Sequence, residues 1–196
     1  MQKPKNYQLV VETLSPLHIG TGQTLQKDFD YVVYRGRTYV VDVDRLSDEI
    51  FEAGGANLDR LLQGQPAAQL LSDEDYRRDD YFRYVLEGEP RATSKGAEIQ
   101  TCIKNAWDYP YIPGSSLKGA VRTAILYNIF EREELKIHVD DLGRKPKFAA
   151  QRLEEMAFGK DPNHDWLRCL HFSDSEPIER EYLQLLNVNV FAKGKP

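Results

Sequence analysis

"YIPGSSLKGAVRTAI", Tyr111 to Ile125, is the stretch on which the reading of this chain turns. It begins as the end of a strand and turns at Pro113-Gly114. From Ser115 it places Leu117, Ala120, Val121, Ala124, Ile125 and Ile129 at the i, i+3, i+4 spacing of an amphipathic helix, which ends near Arg132. The hydroxyls of Ser115 and Ser116 suit the capping of that helix. The first amides of a helix lack intrahelical partners, so an exposed terminus of this kind attracts anions. Lys118 and Arg122, one turn apart, add positive charge on the same face. Two readings stay open from these residues alone: a phosphate-binding turn, or a well-capped helix carrying two solvated cations.

Upstream, Tyr7 to Leu14 is rich in β-formers and reads as a first strand, broken by Ser15-Pro16 and followed by a glycine-rich loop at Gly20-Thr21-Gly22. "DYVVYRGRTYVVDVD" gives two β-rich runs around Arg35-Gly36, a hairpin, with Asp42 or Asp44 placed to cap the next segment. From Val43 to Glu89 the chain reads as helical pieces: "VDRLSDEIFEA", then "NLDRLLQG" after Gly54-Gly55, then "SDEDYRRDDYFRYVLEG", where Tyr81, Tyr84 and Val85 recur at helical spacing. "EPRATSKGA" breaks that pattern, and Ile99 to Ile103 resumes as a strand. Downstream of the opening stretch come a basic link, "GRKPK", a second helix, "AAQRLEEMAFG", closed by Gly159, and two further strands, "WLRCLHFSD" and "EYLQLLNVNVFAK". This order predicts an α+β sheet with helices on one face.

The 196 residues hold one domain of ordinary size with an insertion, and 41% hydrophobic with 29% charged residues is a globular composition. The formal charge of −5 is uneven. Residues 42–90 carry 13 acids against 5 arginines and no lysine, a net of −8, and the remainder is left at +3. The acidity thus belongs to one region, expected as a helical insertion at about residues 43–95. A free-standing DNA coater is excluded, because that affinity comes from cations displacing counterions. No run is long enough to cross a membrane, and the first residues lack a signal-peptide core, so a cytoplasmic protein with no membrane partner is expected.

Cofactors are not expected. The lysine of "GSSLKG" precedes its glycine, unlike a Walker loop, and "GTGQTL" has Leu25 where a dinucleotide fingerprint needs its third glycine. His18, beside the glycine loop, is open to three roles: general acid or base for RNA cleavage, phosphate ligand, or buried histidine bonded to backbone. Asp28 and Asp30 are two apart at the start of the hairpin and read either as paired metal-binding carboxylates or as solvated turn residues. His138, Asp140 and Asp141, and likewise His171, Asp174 and Glu176, match no ligand spacing, so no metal site is expected. Cys102 and Cys169 read as ordinary core thiols.

The two glycine-marked stretches, "SPLHIGTG" and "YIPGSSLKGAVRT", together resemble the RAMP superfamily of CRISPR proteins. "SPLHIGTG" and "FSDSEPI" near the end most resemble the Csm-type subunit that caps the guide RNA 3′ end in type III-A effector complexes. The resemblance covers about residues 7–41 and 99–192. It implies a ferredoxin-like, RRM-like fold forming a single RAMP domain over residues 1–196. A second RAMP domain is expected to follow, with this chain ending before it. It implies that Gly114, Ser115, Ser116, Lys118 and Gly119 meet the RNA backbone, that His18, Gly20 and Gly22 form a second loop nearby, and that Arg122 is a supporting cation. The implied partners are guide RNA (crRNA) and other subunits of the Csm complex, above all its backbone RAMP subunit. Backbone subunits of such complexes cut RNA with an aspartate in the loop after the first strand. Here "HIGTGQTLQK" has no carboxylate before Asp28, which implies a binding subunit without its own nuclease, supporting crRNA maturation and antiviral defence. The alternatives are a metal-independent repeat-processing endoribonuclease using His18, and a protein-interaction subunit whose acidic helices do the binding.

Overall fold

Arg35 and Gly36 both take positive φ, 50° and 80°, the turn whose twist suits a two-residue hairpin. A computed structural model describes residues 5–92, 94, 96–132, 145 and 149–189. In it this turn joins β2 (Tyr31–Tyr34) to β3 (Arg37–Val41), pairing Tyr31 with Val40 and Tyr34 with Arg37. Strand β4 (Phe82–Glu87) adds to the other side of β3, giving an antiparallel order β2-β3-β4. A second antiparallel pair joins β1 (Gly20–Gln26) to β5 (Glu98–Cys102). These strands belong to a compact unit made of Met1–Ile103 with Asn187–Pro196; Lys104–Leu186 form another.

Between β3 and β4 lie α1 (Val43–Ala53) and α2 (Gly55–Leu62). The Asp42 carboxylate caps α1 by accepting from Arg45 N. Leu46 and Ile50, one turn apart, bury the inner face of α1 against Val32, Tyr39 and Val41 of the sheet. Ala67, Ala68 and Leu70, in a 3-10 turn, close the same core. The acidic stretch is therefore a lid of short helices over a three-stranded sheet, to which its last part supplies β4.

Three expected elements differ. Phe82–Glu87 is a strand, not a helix: Phe82, Tyr84 and Leu86 alternate inward, and pairing with β3 outweighs the helical spacing of Tyr81, Tyr84 and Val85. The expected first strand, Tyr7 to Leu14, joins no ladder among the described residues. The ladder begins instead at Gly20, where a loop was expected. There Gly22, at φ 80°, sits inside the register shift between Gly20 and Thr24, a bulge that glycine makes without strain.

The two late strands are also absent among the described residues. Trp166–Cys169 and Arg180–Tyr182 are single 3-10 turns, and Leu183–Asn189 join no ladder. Side chains hold that last stretch. Asn187 Oδ1 accepts from Arg91 N at 3.0 Å, Asn187 Nδ2 donates to Glu89 O at 3.2 Å, and Asn189 Oδ1 accepts from the Arg91 guanidinium.

The second unit is built on α3 (Gly114–Arg132) and α4 (Gln151–Phe158), closed by Gly159 as expected. Leu153, Phe158 and Leu167 are buried in it. The link "GRKPK" apart from Lys145, the cluster His138, Asp140 and Asp141, and the segment from Val190 lie outside the described residues. The architecture is mixed α and β with antiparallel sheets.

Candidate functional site

Gly114 is the first residue of α3, so Ser115 and Ser116 fall inside the first turn and not at the cap. The group that closes the terminus comes from far along the chain: Gly114 N donates to Asp174 Oδ1 at 2.8 Å. Pro113 O accepts from Ser116 N and Leu117 N. The approach to the turn is held strand-like against residues 174–178. Ile178 N donates to Pro110 O, Ser175 N donates to Ile112 O, and Ile112 N donates to Ser175 Oγ at 2.9 Å. Gly114 is buried, and a Cβ there would stand 2.2 Å from Phe172 O and 2.7 Å from Ser173 O. That is why the turn needs glycine: the chain's own backbone occupies the space. Ser115 and Gly119 are exposed, and nothing lies within 4 Å of a Cβ built on Gly119.

Both cations of the motif turn to their own chain. Lys118 Nζ donates to Leu170 O at 2.9 Å. Arg122 Nε donates to Glu154 Oε2 at 3.0 Å and Nη1 to Asp165 Oδ2 at 2.5 Å. Its guanidinium lies 4.1 Å from the ring centroid of the buried Phe158. Burial works against the charge of Arg122, but the bonds to Asp165 and Glu154 outweigh it and raise its pKa. The same guanidinium holds the Asp165 carboxyl below its ordinary range. Asp165 is doubly used, since its other oxygen caps the 3-10 turn by accepting from Leu167 N at 2.8 Å. The sequence reading of two solvated cations missed these partners; no local spacing relates Arg122 to Asp165.

The first glycine loop lies in the other compact unit. His18 is exposed, which removes the buried-histidine reading, and its Nε2 lies 3.3 Å from where a Cβ on Gly20 would stand. Gly20 and Gly22 are exposed at the start of β1. Asp28 and Asp30 occupy the turn between β1 and β2, not one face of a strand. Asp28 takes φ 70°, and the Asp30 carboxylate accepts from Gln26 N at 2.7 Å. Among the described residues no group of three His, Cys, Asp or Glu side chains is arranged to hold a metal ion. Cys102 is half-buried and Cys169 exposed, so only the first suits the expected core role.

Asp174 and Ser175 are the site residues that sequence reasoning passed over. They stand in "FSDSEPI", whose likeness to the family was visible, but nothing local tied that segment to Gly114.

Comparison with known proteins places the chain in a family. The chain is 32% identical over 203 residues to the Csm5 protein of a CRISPR system in Streptococcus thermophilus, covering 93% of this chain and 55% of that protein. Its fold is similar to a crystal structure of Csm5 from T. onnurineus, with a TM-score of 0.62 and 29% identity over 93% of this chain and 61% of the other. It is also similar to a chain in a cryo-EM structure of a Csm-crRNA-target RNA ternary complex of a type III-A CRISPR-Cas system, with a TM-score of 0.64 and 30% identity over 87% of this chain and 53% of that one. The chain spans about half the length of the curated relatives it matches. A family model for the RAMP superfamily matches residues 10–194, across both glycine-marked stretches and "FSDSEPI", and the chain belongs to that superfamily.

Proposed function

We propose that this chain is a structural, guide-RNA-binding subunit of a type III-A CRISPR effector complex, placed at the 3′ end of the crRNA and supporting its maturation in antiviral defence. It works beside the other Csm subunits, above all the backbone RAMP subunit, and cuts nothing itself. The observation that carries the reading is the turn at Gly114, where the superfamily's motif is built into a fixed helix start with Ser115 and Gly119 exposed. Single-stranded RNA is held through backbone contacts that tolerate any sequence, and the exposed Ser115 and Gly119 present a small, open surface on which a backbone can lie.

In this reading Gly114, Ser115, Ser116, Lys118 and Gly119 meet the RNA backbone, and His18, Gly20 and Gly22 supply a second loop. The two units together make one ferredoxin-like RAMP domain with its acidic insertion, which is supported by a family match running unbroken through both. The reading of a subunit without its own nuclease rests on the loop "HIGTGQTLQK", which has no carboxylate before Asp28.

The test is retention of a labelled single-stranded RNA in chelator at low and moderate salt. The wild-type chain is expected to retain intact RNA, more weakly as salt rises. Ser115→Glu with Ser116→Glu, which sets two negative charges on the turn, is expected to abolish retention. Shortened RNA that depends on His18 would replace this reading with the endoribonuclease, and no retention at either salt would overturn it.

A further inference from the structure

Arg122 lies at the centre of a closed set of contacts that joins three pieces of the second unit. Its side chain is only 28% exposed, against 19% for Asp165 and 40% for Glu154. The fork of the guanidinium reaches α4 through Glu154 and the 3-10 turn through Asp165, while its face covers Phe158. The pieces it joins are themselves fixed. Trp166 Nε1 donates to Ala157 O at 3.1 Å, and a Cβ on Gly159 would stand 2.4 Å from His164 O. One turn earlier on α3, Lys118 holds Leu170 O. Two residues after Leu170 the chain reaches Phe172–Asp174, the backbone that packs on Gly114 and closes the helix start. A route of covalent and hydrogen-bonded links thus runs from Arg122 through residues 165–170 to the exposed turn.

A phosphate ligand needs donors free to face solvent. Two of the guanidinium nitrogens of Arg122 are spent on carboxylates, and a phosphate approaching it would meet two negative charges beside it.

We propose that Arg122 is a positioning residue and not a phosphate ligand: by clamping Glu154, Asp165 and Phe158 it fixes the segment that closes the Gly114 turn, and so holds that turn in its RNA-binding shape. The proposal rests on the RNA-binding reading above only for its consequence, since the clamp itself can be measured without RNA.

The experiment compares the full chain with Arg122→Gln, Arg122→Lys and the double variant Glu154→Gln/Asp165→Asn, using one single-stranded RNA across a salt series and thermal unfolding of each protein. A positioning role predicts that Arg122→Gln weakens binding by about fivefold or more at every salt, the range of ordinary coupling between sites. The slope of log affinity against log salt stays unchanged. Arg122→Lys keeps the charge but not the fork, and is expected to lose nearly as much. The carboxylate variant is expected to bind more weakly as well, although it has become more positive.

The outcomes that overturn the proposal are distinct. A phosphate ligand would make the Arg122→Gln slope shallower by about 0.7, the value of one released counterion on a single strand. It would leave Arg122→Lys near wild type and make the carboxylate variant bind more tightly. Equal affinity in all four proteins would overturn the proposal too. If the wild-type chain retains no RNA, the RNA reading fails, and the clamp is judged by Tm alone. Losses in Tm for Arg122→Gln and the carboxylate variant that fail to add when combined support it, and losses that add in full overturn it.

Discussion

Gly114 is the residue at which substitution has the plainest expected cost. Its missing Cβ is replaced by Phe172 O at 2.2 Å, and a backbone carbonyl cannot swing aside as a side-chain tip would. Gly114→Ala is expected to destabilise the protein by about 1–3 kcal/mol, the usual penalty for forcing atoms into a filled space. Urea unfolding followed by circular dichroism measures it, with Gly119→Ala as the comparison, since that position is open. Asp165 gives a prediction with a sign in pH. Its carboxyl is depressed below 3.8 chiefly by the Arg122 hydrogen bond. The stability that this bond contributes is complete above the unfolded value near 4 and is lost as pH falls through the lower folded value. Tm measured from pH 6 down to pH 2 is expected to fall more steeply for wild type than for Asp165→Asn, so that the gap between the two narrows below pH 4. Of these residues the sequence showed Gly114 as a turn and Arg122 as a cation. It could not show that the first is demanded by Phe172 and the second by Asp165, because both partners are brought in by tertiary folding.

At the level of elements, the parts that were legible are those whose signals are local. The hairpin at Arg35-Gly36, the cap at Asp42, the long helix that begins at Gly114 and the stop at Gly159 each depend on residues within one turn of each other. The misread elements depend on distant partners: β4 is a strand because β3 lies beside it, and Tyr7 to Leu14 meets no ladder partner among the described residues. The cap of α1 can be tested directly. Asp42→Ala is expected to cost about 1 kcal/mol, and Asp42→Asn much less, as read by the urea midpoint. Tyr81 adds an alkaline signature to the same region. Its hydroxyl donates to Glu49 on α1, and that bond, with burial, pushes its pKa up to about 12. This contribution is complete below the unfolded value near 10 and is lost as pH rises towards 12. Tyr81→Phe is therefore expected to show a flatter loss of Tm between pH 9 and pH 12 than wild type does.

For the whole molecule, no helix among the described residues is long and apolar enough to cross a membrane, yet apolar side chains are shown to water. Tyr7, Val10 and Leu14 are 79%, 92% and 94% exposed. Large apolar side chains left open along one short segment favour association. Sedimentation velocity is expected to show self-association that grows with concentration, and Val10→Lys with Leu14→Lys is expected to return the protein to a single slow species; an unchanged distribution would show that the surface is inert. The closing of the Gly114 turn also has a consequence in time. Asp174 follows Gly114 by 60 residues, and at ribosomal speeds of roughly 5–20 residues per second that interval is about 3–12 s. Until then the first amide of α3 lacks its Asp174 partner. The superfamily's own hallmark therefore cannot take its closed shape until Asp174 has been made, and a chaperone that holds emerging helices would meet it open.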